Sequence, residues 1–236
     1  MTATQDTPAQ AFADGVRALL PMLLGVMPFG VIYGVVALQS GITPLAAIMM
    51  SSIVFAGSSQ FLLAQLIGQS APMSIALGAV ILINARHALY SASVAPALAG
   101  LPGRWKALLA YLLTDEAYAA AIGHLLQRPT PSHAHWTLFG SGLALWTGWQ
   151  ISTIGGVVLG RYLPDTQMLD LDFALPLTFI AIVVPMIKTR PQLLAATVAA
   201  VLAVALAGLP FKLGMMLAAI CGLLAASWLA AMDRRQ

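Results

Sequence analysis

Three polar side chains that can bind charged groups lie inside a long apolar stretch of the chain. Between Ser74 and Leu101, the sequence places Asn84, Arg86 and His87 where a membrane-spanning helix would have its middle. An arginine at the centre of such a helix costs about 2.5 to 3.5 kcal/mol on the insertion scale. Since so costly a charge needs a partner or a role, this segment is the first candidate for function.

The polar side chains of this segment form one stripe. At 100° per residue, Asn84, His87 and Tyr90 fall on one side of the helix. Arg86 lies at the edge of the stripe, and Leu89 lies on the opposite side. The stripe either lines a path for a substrate or a proton, or bonds the helix to its neighbours. We favour the path, because ionisable groups are expensive inside a membrane.

Two adjacent carboxylates can supply the countercharge. Positions 15–164 contain only two acidic residues, Asp115 and Glu116, which follow Thr114 in an otherwise apolar stretch. Adjacent side chains on a helix point about 100° apart, so we expect one carboxylate to pair with Arg86 and the other to carry a proton. The alternative is a helix at the membrane surface, with both carboxylates in water.

A run of small and polar residues lies in an earlier apolar segment. Within Phe55–Phe61 the chain reads Gly57-Ser58-Ser59-Gln60. Such a run allows a close contact between helices through small side chains. It can also be a locally unwound stretch whose free backbone groups bind a small polar ligand. Composition favours the close contact.

Prolines mark candidate bends in two predicted helices. Pro28 lies in the first apolar segment, shortly before Gly30 and Gly34, so we expect a kink beside a close helix contact. Pro176 lies near the start of a later segment. Interrupted helices in both halves of a chain are typical of inverted repeats, and the loose match here leaves an inverted repeat open.

The composition indicates the class of protein. Of 236 residues, 60% are hydrophobic and 8% are charged, whereas soluble proteins have about 25% charged residues. We predict an all-α, polytopic membrane protein with about seven or eight embedded helices. Residues 1–236 are expected to form one domain in the lipid bilayer, with a disordered tail over residues 1–10. The net charge of +3 does not indicate nucleic-acid binding.

Windows of about 20 residues give eight predicted segments. They are Ala11–Ser40, Pro44–Ile67, Ala71–Ala99, Arg104–Leu126, Ala134–Arg161, Asp172–Ile187, Gln192–Leu206 and Pro210–Met232. The fourth, which carries both carboxylates, either spans the membrane or is re-entrant. The distribution of Lys and Arg slightly favours the re-entrant arrangement, with the N-terminus outside, and leaves the orientation open.

The sequence lacks the patterns of enzymes and of cofactor-binding proteins. It has no nucleophile beside a base, no phosphate-binding loop and no metal-ligand spacing, and it contains one cysteine, Cys221. We therefore predict no enzymatic activity, no metal and no cofactor. The tryptophans of the later helices, such as Trp149, are expected mostly to anchor helices at the membrane surface.

Four motifs carry a resemblance to a known family. In order, they are Pro28-Phe29-Gly30, Phe55–Phe61, Asn84–Tyr90 and Leu113–Glu116. With this order and spacing, the chain resembles the AzlC-type azaleucine-resistance proteins over nearly its whole length.

The resemblance implies the large subunit of a branched-chain amino acid exporter in the bacterial inner membrane. Such a permease works with a small hydrophobic AzlD-type subunit and expels valine, leucine and isoleucine, and in some members methionine or toxic analogues. Family members commonly carry an acidic residue where this chain has Ala85. That difference strengthens the case for Asp115 or Glu116 as the partner of Arg86.

The residues and the resemblance together predict an ion-gradient-driven exporter. An amino acid zwitterion needs a partner for its carboxylate, a partner for its ammonium and an apolar pocket for its side chain. Arg86 or the Gly57–Gln60 stretch is expected to hold the carboxylate, and Asp115 or Glu116 the ammonium or the coupling proton. The predicted substrate or coupling residues are Gly57, Ser58, Ser59, Gln60, Asn84, Arg86, His87, Tyr90, Thr114, Asp115 and Glu116. The predicted hinge or packing residues are Pro28, Gly30, Gly34 and Pro176.

Three aromatic residues, Phe55, Phe61 and Tyr90, are expected to shape the pocket for the branched side chain. Two other functions use the same residues differently. A channel for ions or small solutes would line its pore with the polar stripe and conduct without saturation. A membrane scaffold that transports nothing would use the charges only to join helices.

Overall fold

In a computed structural model of the chain, every regular element of the described residues is helical, which confirms the all-α prediction. The described residues are 7–126, 133–162, 184 and 187–233. The α-helices within them are α1 (Pro8–Gln39), α2 (Pro44–Ile53), α3 (Gly57–Gly68), α4 (Met73–Val94), α5 (Gly103–Leu112), α6 (Asp115–Leu125), α7 (Ala134–Tyr162), α8 (Arg190–Ala205) and α9 (Leu213–Asp233).

Several helix boundaries differ from the prediction, and three of the differences bear on the fold. α1 begins three residues early, because the Thr7 side chain accepts a hydrogen bond from the Gln10 N–H at 3.3 Å and caps the helix. The predicted second and fourth segments are each divided into two helices, α2 with α3 and α5 with α6. The predicted sixth segment, with Pro176, lies outside the described residues except for Val184 and Ile187, and so do the first six residues of the predicted tail.

Three helices of the described residues are long and apolar enough to cross a membrane. They are α1, α9 and α4 with the 3₁₀ turn that follows it, Met73–Leu98. α2 and α8 are shorter apolar helices. These helices agree with a polytopic membrane protein, while the full number of spans stays a prediction.

The chain forms two compact units. The first comprises Met1–Gly68 and Val80–Leu163, and the second comprises Gln69–Ala79 and Pro164–Gln236. In the second unit, α8 and α9 pack closely, and a Cβ placed on Gly222 would lie 2.8 Å from the Ala195 carbonyl oxygen. The first unit holds all the predicted site residues that the structure describes.

α1 and α7 form the frame of the first unit. Glycines on both helices bring the two backbones together, since a Cβ on Gly34 would lie 2.6 Å from the Thr153 carbonyl oxygen. A Cβ on Gly156 would collide with the Val31 carbonyl oxygen, and one on Gly30 with the Ser152 hydroxyl. The predicted close contact at Gly30 and Gly34 is therefore present.

α1 remains helical through Pro28, as it does through Pro21. Pro28 is exposed and lies in the helix interior. Its ring removes one backbone hydrogen bond without ending the helix. A hinge role for Pro28 stays a prediction.

The break between α2 and α3 is held by aromatic residues. Phe55 has a φ of 37°, a left-handed conformation that an L-residue adopts only at a cost of about 1 to 2 kcal/mol. Its ring packs against Tyr111 at 5.7 Å between centroids. The Tyr111 hydroxyl donates to the Ser52 carbonyl oxygen at 2.6 Å, at the end of α2 where carbonyls lack helical partners.

The contact between α1 and α7 can be tested with two adjacent glycines. Gly156→Ala should lower the unfolding free energy by about 1 to 3 kcal/mol, because its methyl group meets the Val31 backbone, which cannot turn away. Gly155→Ala is the matched control, because a Cβ there has nothing within 4 Å. Thermal unfolding of the purified protein in detergent measures both. Equal stability of the two variants would contradict the described contact.

Candidate functional site

Arg86 binds to the first turns of two short helices, α3 and α6. Its Nη1 lies 2.9 Å from Asp115 Oδ2, at the start of α6. Its Nη2 donates to Ser58 Oγ at 2.8 Å, in the first turn of α3. Asp115 is thus the carboxylate that pairs with Arg86, out of the two that the sequence offered.

Tyrosines complete the surroundings of this ion pair. The Tyr90 hydroxyl donates to the second oxygen of Asp115, Oδ1, at 2.6 Å. Tyr90 stacks on Tyr118 with 4.7 Å between ring centroids, and the Tyr118 hydroxyl lies 3.0 Å from Ser93 Oγ. Tyr118 was not predicted from the sequence, although its place one turn after Asp115 is a signal that could have identified it.

The polar stripe on α4 faces the protein, as predicted. Asn84, Arg86, His87 and Tyr90 are all partly buried, whereas Leu89 on the opposite side of the helix is 70% exposed. The burial pattern therefore agrees with one polar and one lipid-facing side.

The first turns of α3 and α6 meet at the same guanidinium group. In α3 the first helical hydrogen bond runs from the Gln60 N–H to the Ala56 carbonyl oxygen, so the preceding N–H groups have no partner inside the helix. Thr114 precedes α6 without making a side-chain cap, and its buried hydroxyl has no hydrogen-bond partner in the described residues. Both helix starts carry the positive end of a helix dipole.

Two further donors at the site have no partner in the described residues. Arg86 Nε and His87 Nε2 are both buried and make no hydrogen bond there. The ion pair itself remains partly open, with 36% of the Arg86 side chain and 34% of the Asp115 side chain exposed. Buried donors without partners are costly, so a site with this geometry suits a polar ligand or ordered water.

Three other predicted residues lie on the helices that carry the ion pair and its partners. Ser59 Oγ donates to Asn84 Oδ1 at 2.6 Å and thereby joins α3 to α4. Glu116 is partly buried in the first turn of α6 and forms no ion pair with any basic residue that the structure describes. Glu116 is therefore the second carboxylate of the site, next to the paired Asp115.

Gln60 lies in a buried network away from Arg86. It is fully buried, its Nε2 donates to Ser51 Oγ at 2.9 Å, and its Oε1 accepts from Trp149 Nε1 at 3.0 Å. Ser51 in turn lies 2.9 Å from the Thr153 hydroxyl. The amide oxygen and the amide nitrogen of Gln60 both have hydrogen-bond partners, so this side chain connects α2, α3 and α7.

Trp149 differs from the predicted membrane-surface anchor. Trp149 is 5% exposed. A Cβ placed on Gly57 would lie 2.9 Å from the edge of the Trp149 ring. Gly57 therefore makes a close contact at the helix break. The glycine lets a buried tryptophan reach the Gln60 amide.

The aromatic rings expected to line a pocket are directed to different places. Phe61 is buried and lies edge-on to Tyr33 at 5.8 Å, while Phe55 packs on Tyr111. Of these three aromatic residues, Tyr90 is the one that contacts the ion pair in the described residues, through its hydrogen bond to Asp115. No group of three His, Cys, Asp or Glu side chains in the described residues is placed to hold a metal ion.

The Trp149–Gln60 bond should stabilise the helix break. Trp149→Phe leaves the buried Gln60 oxygen without its donor, so we expect a loss of about 1 to 3 kcal/mol in unfolding free energy. Trp146→Phe is the control, because Trp146 donates to Tyr111 at an exposed position. Unfolding in detergent measures both, and equal losses would show that burial of the bond is unimportant.

The Arg86–Asp115 pair should show strong coupling. Arg86→Ala and Asp115→Ala should each cost about 1 to 3 kcal/mol, and the double variant clearly less than their sum, because each single change leaves one unpaired charge. The exposed Arg17–Asp14 pair at 3.3 Å is the control, with an expected coupling below about 1 kcal/mol. Additive losses at Arg86 and Asp115 would contradict the ion pair.

Comparison with known proteins agrees with the resemblance read from the motifs. The family model described as AzlC protein matches residues 21–163, which include Arg86, Asp115 and the first turns of α3 and α6. Inner membrane protein YgaZ of Escherichia coli is 28% identical over 239 residues, 97% of each chain. An uncharacterized membrane protein of Archaeoglobus fulgidus is 30% identical over 224 residues, 92% of this chain and 94% of that one.

A third relative is named for transport. The branched-chain amino acid transport protein AzlC of Bacillus subtilis is 29% identical over 174 residues, 73% of this chain and 66% of that one. No solved structure matches the chain. The inner-membrane relative and the apolar helices confirm the predicted multi-pass location in the inner membrane. The family model and the relatives together establish that the chain belongs to the AzlC family.

Proposed function

We propose that the chain exports the branched-chain amino acids valine, leucine and isoleucine, and also methionine or toxic analogues, across the inner membrane. The observation that carries this proposal is that Arg86 of α4 pairs with Asp115 in the first turn of α6 and donates to Ser58 in the first turn of α3. Support also comes from the Bacillus subtilis relative, which is named a branched-chain amino acid transport protein.

The ion pair offers both charges that an amino acid needs. A zwitterion entering the site would bring its carboxylate to Arg86 and its ammonium to Asp115. One ion pair inside the protein would then be exchanged for two with the substrate. The empty site stays paired, so neither charge is left alone in an apolar surrounding when the substrate leaves.

The groups without partners give the carboxylate more donors than the ion pair alone. Arg86 Nε, His87 Nε2 and the first N–H groups of α3 can each donate to a substrate oxygen. Half-helix starts of this kind bind substrate carboxylates in other transporters with discontinuous helices. Ser58, Ser59, Asn84 and Thr114 would orient these donors.

Coupling to an ion gradient is assigned to the second carboxylate and the histidine. Glu116 stands next to Asp115 without an ion pair in the described residues, and His87 lies one residue after Arg86. Either group can carry a proton while Asp115 binds the ammonium. An ion gradient is the expected energy source because the sequence has no nucleotide-binding segment.

The working unit would include a second protein. We propose a small hydrophobic AzlD-type subunit as partner, and no enzymatic step and no cofactor. Alternating access would bend the chain at the α2–α3 and α5–α6 breaks, with Pro28 and Pro176 as further hinge positions. Residues 1–236 would act as one transporter domain. Whether its two halves form an inverted repeat is left open.

Efflux from cells tests the proposal. Cells fed a valine-containing dipeptide, with the chain and a candidate small subunit expressed together, should export valine faster than cells without the chain. Arg86→Lys and Asp115→Asn should each reduce this flux at least about tenfold, because an ammonium cannot bind Asp115 and Ser58 as the guanidinium fork does. Asp14→Asn and Arg17→Lys are the matched controls at the exposed pair.

Each failure has a different meaning. Unchanged valine efflux with the parent chain would contradict the exporter. Full efflux by both site variants, at equal abundance in the membrane, would show that the ion pair only joins helices. Conductance that does not saturate with amino acid would indicate a channel instead.

A further inference from the structure

The first unit contains a leucine-lined cavity. Its volume is about 240 Å³, and its wall includes Val94, Leu98, Leu109, Leu113 and Leu138 from α4 with its 3₁₀ turn, α5, the break before α6, and α7. Four of these five side chains, all but Leu98, are at most 3% exposed. This part of the cavity wall is therefore apolar and belongs to the protein core, while Ala95, Lys106 and Ala110 line the cavity from exposed positions.

Two residues that line the cavity lie close to candidate-site residues in the sequence. Ser91, which lines it, follows Tyr90, whose hydroxyl binds Asp115. Leu113, which also lines it, precedes Asp115 by two positions at the break between α5 and α6. The apolar cavity and the Asp115 carboxylate are thus joined by short stretches of chain, Tyr90–Ser91 and Leu113–Asp115.

The polar groups of the cavity favour one orientation of such a ligand. Besides Ser91, the only charged or polar lining side chain is Lys106, whose Nζ donates to the Ala99 carbonyl oxygen at 2.8 Å. The Lys106 ammonium repels a substrate ammonium, whereas the Asp115 carboxylate attracts it. The substrate would therefore place its charged end at Asp115 and its apolar end in the cavity.

The size of the cavity suits a small aliphatic group. An apolar cavity of about 150 Å³ accommodates benzene, which has six carbons, and drug-sized ligands need about 300 Å³ or more. A volume of about 240 Å³ lies between these limits. Valine, leucine and isoleucine side chains have three or four carbons, so they fit with room for the backbone near the opening.

We propose that the leucine-lined cavity receives the aliphatic side chain of the exported amino acid and sets the upper limit of its size. This inference rests on the proposed export function and adds the determinant of side-chain specificity. It replaces Phe55 and Phe61 as pocket residues, because both rings pack against other aromatic side chains.

Variants that narrow or widen the cavity test this assignment. Ala110 lines the cavity from an exposed position of α5, so Ala110→Leu adds bulk to the cavity lining. One methylene in an apolar pocket discriminates by about 10- to 200-fold, and we expect the ratio of leucine efflux to valine efflux to fall at least about tenfold. Ala107→Leu adds the same bulk to an exposed position of α5 that does not line the cavity, and should leave the ratio unchanged.

A variant that widens the cavity should increase the efflux of a larger amino acid, and misfolding would not produce such an increase. Leu109→Ala enlarges the cavity and should raise phenylalanine efflux relative to leucine efflux several-fold. Cells loaded with dipeptides of valine, leucine or phenylalanine provide all three fluxes, with the small subunit present and the chain at equal abundance.

The outcomes separate the two proposals. A parent chain that exports none of the three amino acids would overturn the export function and this inference with it. A parent that exports leucine and valine, with both ratios unchanged in Ala110→Leu and Leu109→Ala, would overturn the cavity assignment alone. That second result is also expected if a lipid chain occupies the cavity.

Discussion

The arrangement of the candidate site depends on one charged group, the Arg86 guanidinium in the middle of α4. In apolar surroundings a guanidinium must have partners, and α4 itself offers few. The partners come from two helices that stop and restart, so that Ser58 and Asp115 are both available in a first turn. The helix breaks are costly for the backbone, and the shared ion pair and aromatic contacts offset that cost.

Much of this arrangement could be predicted from residue types. The stripe on α4, its apolar opposite side and a carboxylate partner for Arg86 all follow from helical periodicity and from the scarcity of acidic residues. The breaks could not be predicted with the same certainty, because Phe55 is a residue that favours extended or right-handed backbone and yet has a φ of 37°. Tertiary contacts with Tyr111 decide its conformation.

The different surroundings of Ser58 and Gln60 show the limit of reading a motif as one unit. Ser58 and Gln60 are two positions apart on α3, which corresponds to a rotation of about 200° around the helix axis. Their side chains therefore point in nearly opposite directions. Ser58 reaches Arg86, and Gln60 is buried against Ser51 and Trp149. The sequence indicates that both residues matter, but only the direction of the helix decides which one can touch a ligand.

The ion pair also has an electrical consequence. Arg86 and Asp115 carry no net charge together, and an amino acid zwitterion carries none either, so loading the site leaves the sum of these charges at zero. Moving a unit charge through a potential of about 100 mV involves about 2.3 kcal/mol. Under the proposed export function, the membrane potential would therefore do no net work on this pair, with or without substrate, and any voltage dependence of transport would come from a third charge such as that of Glu116.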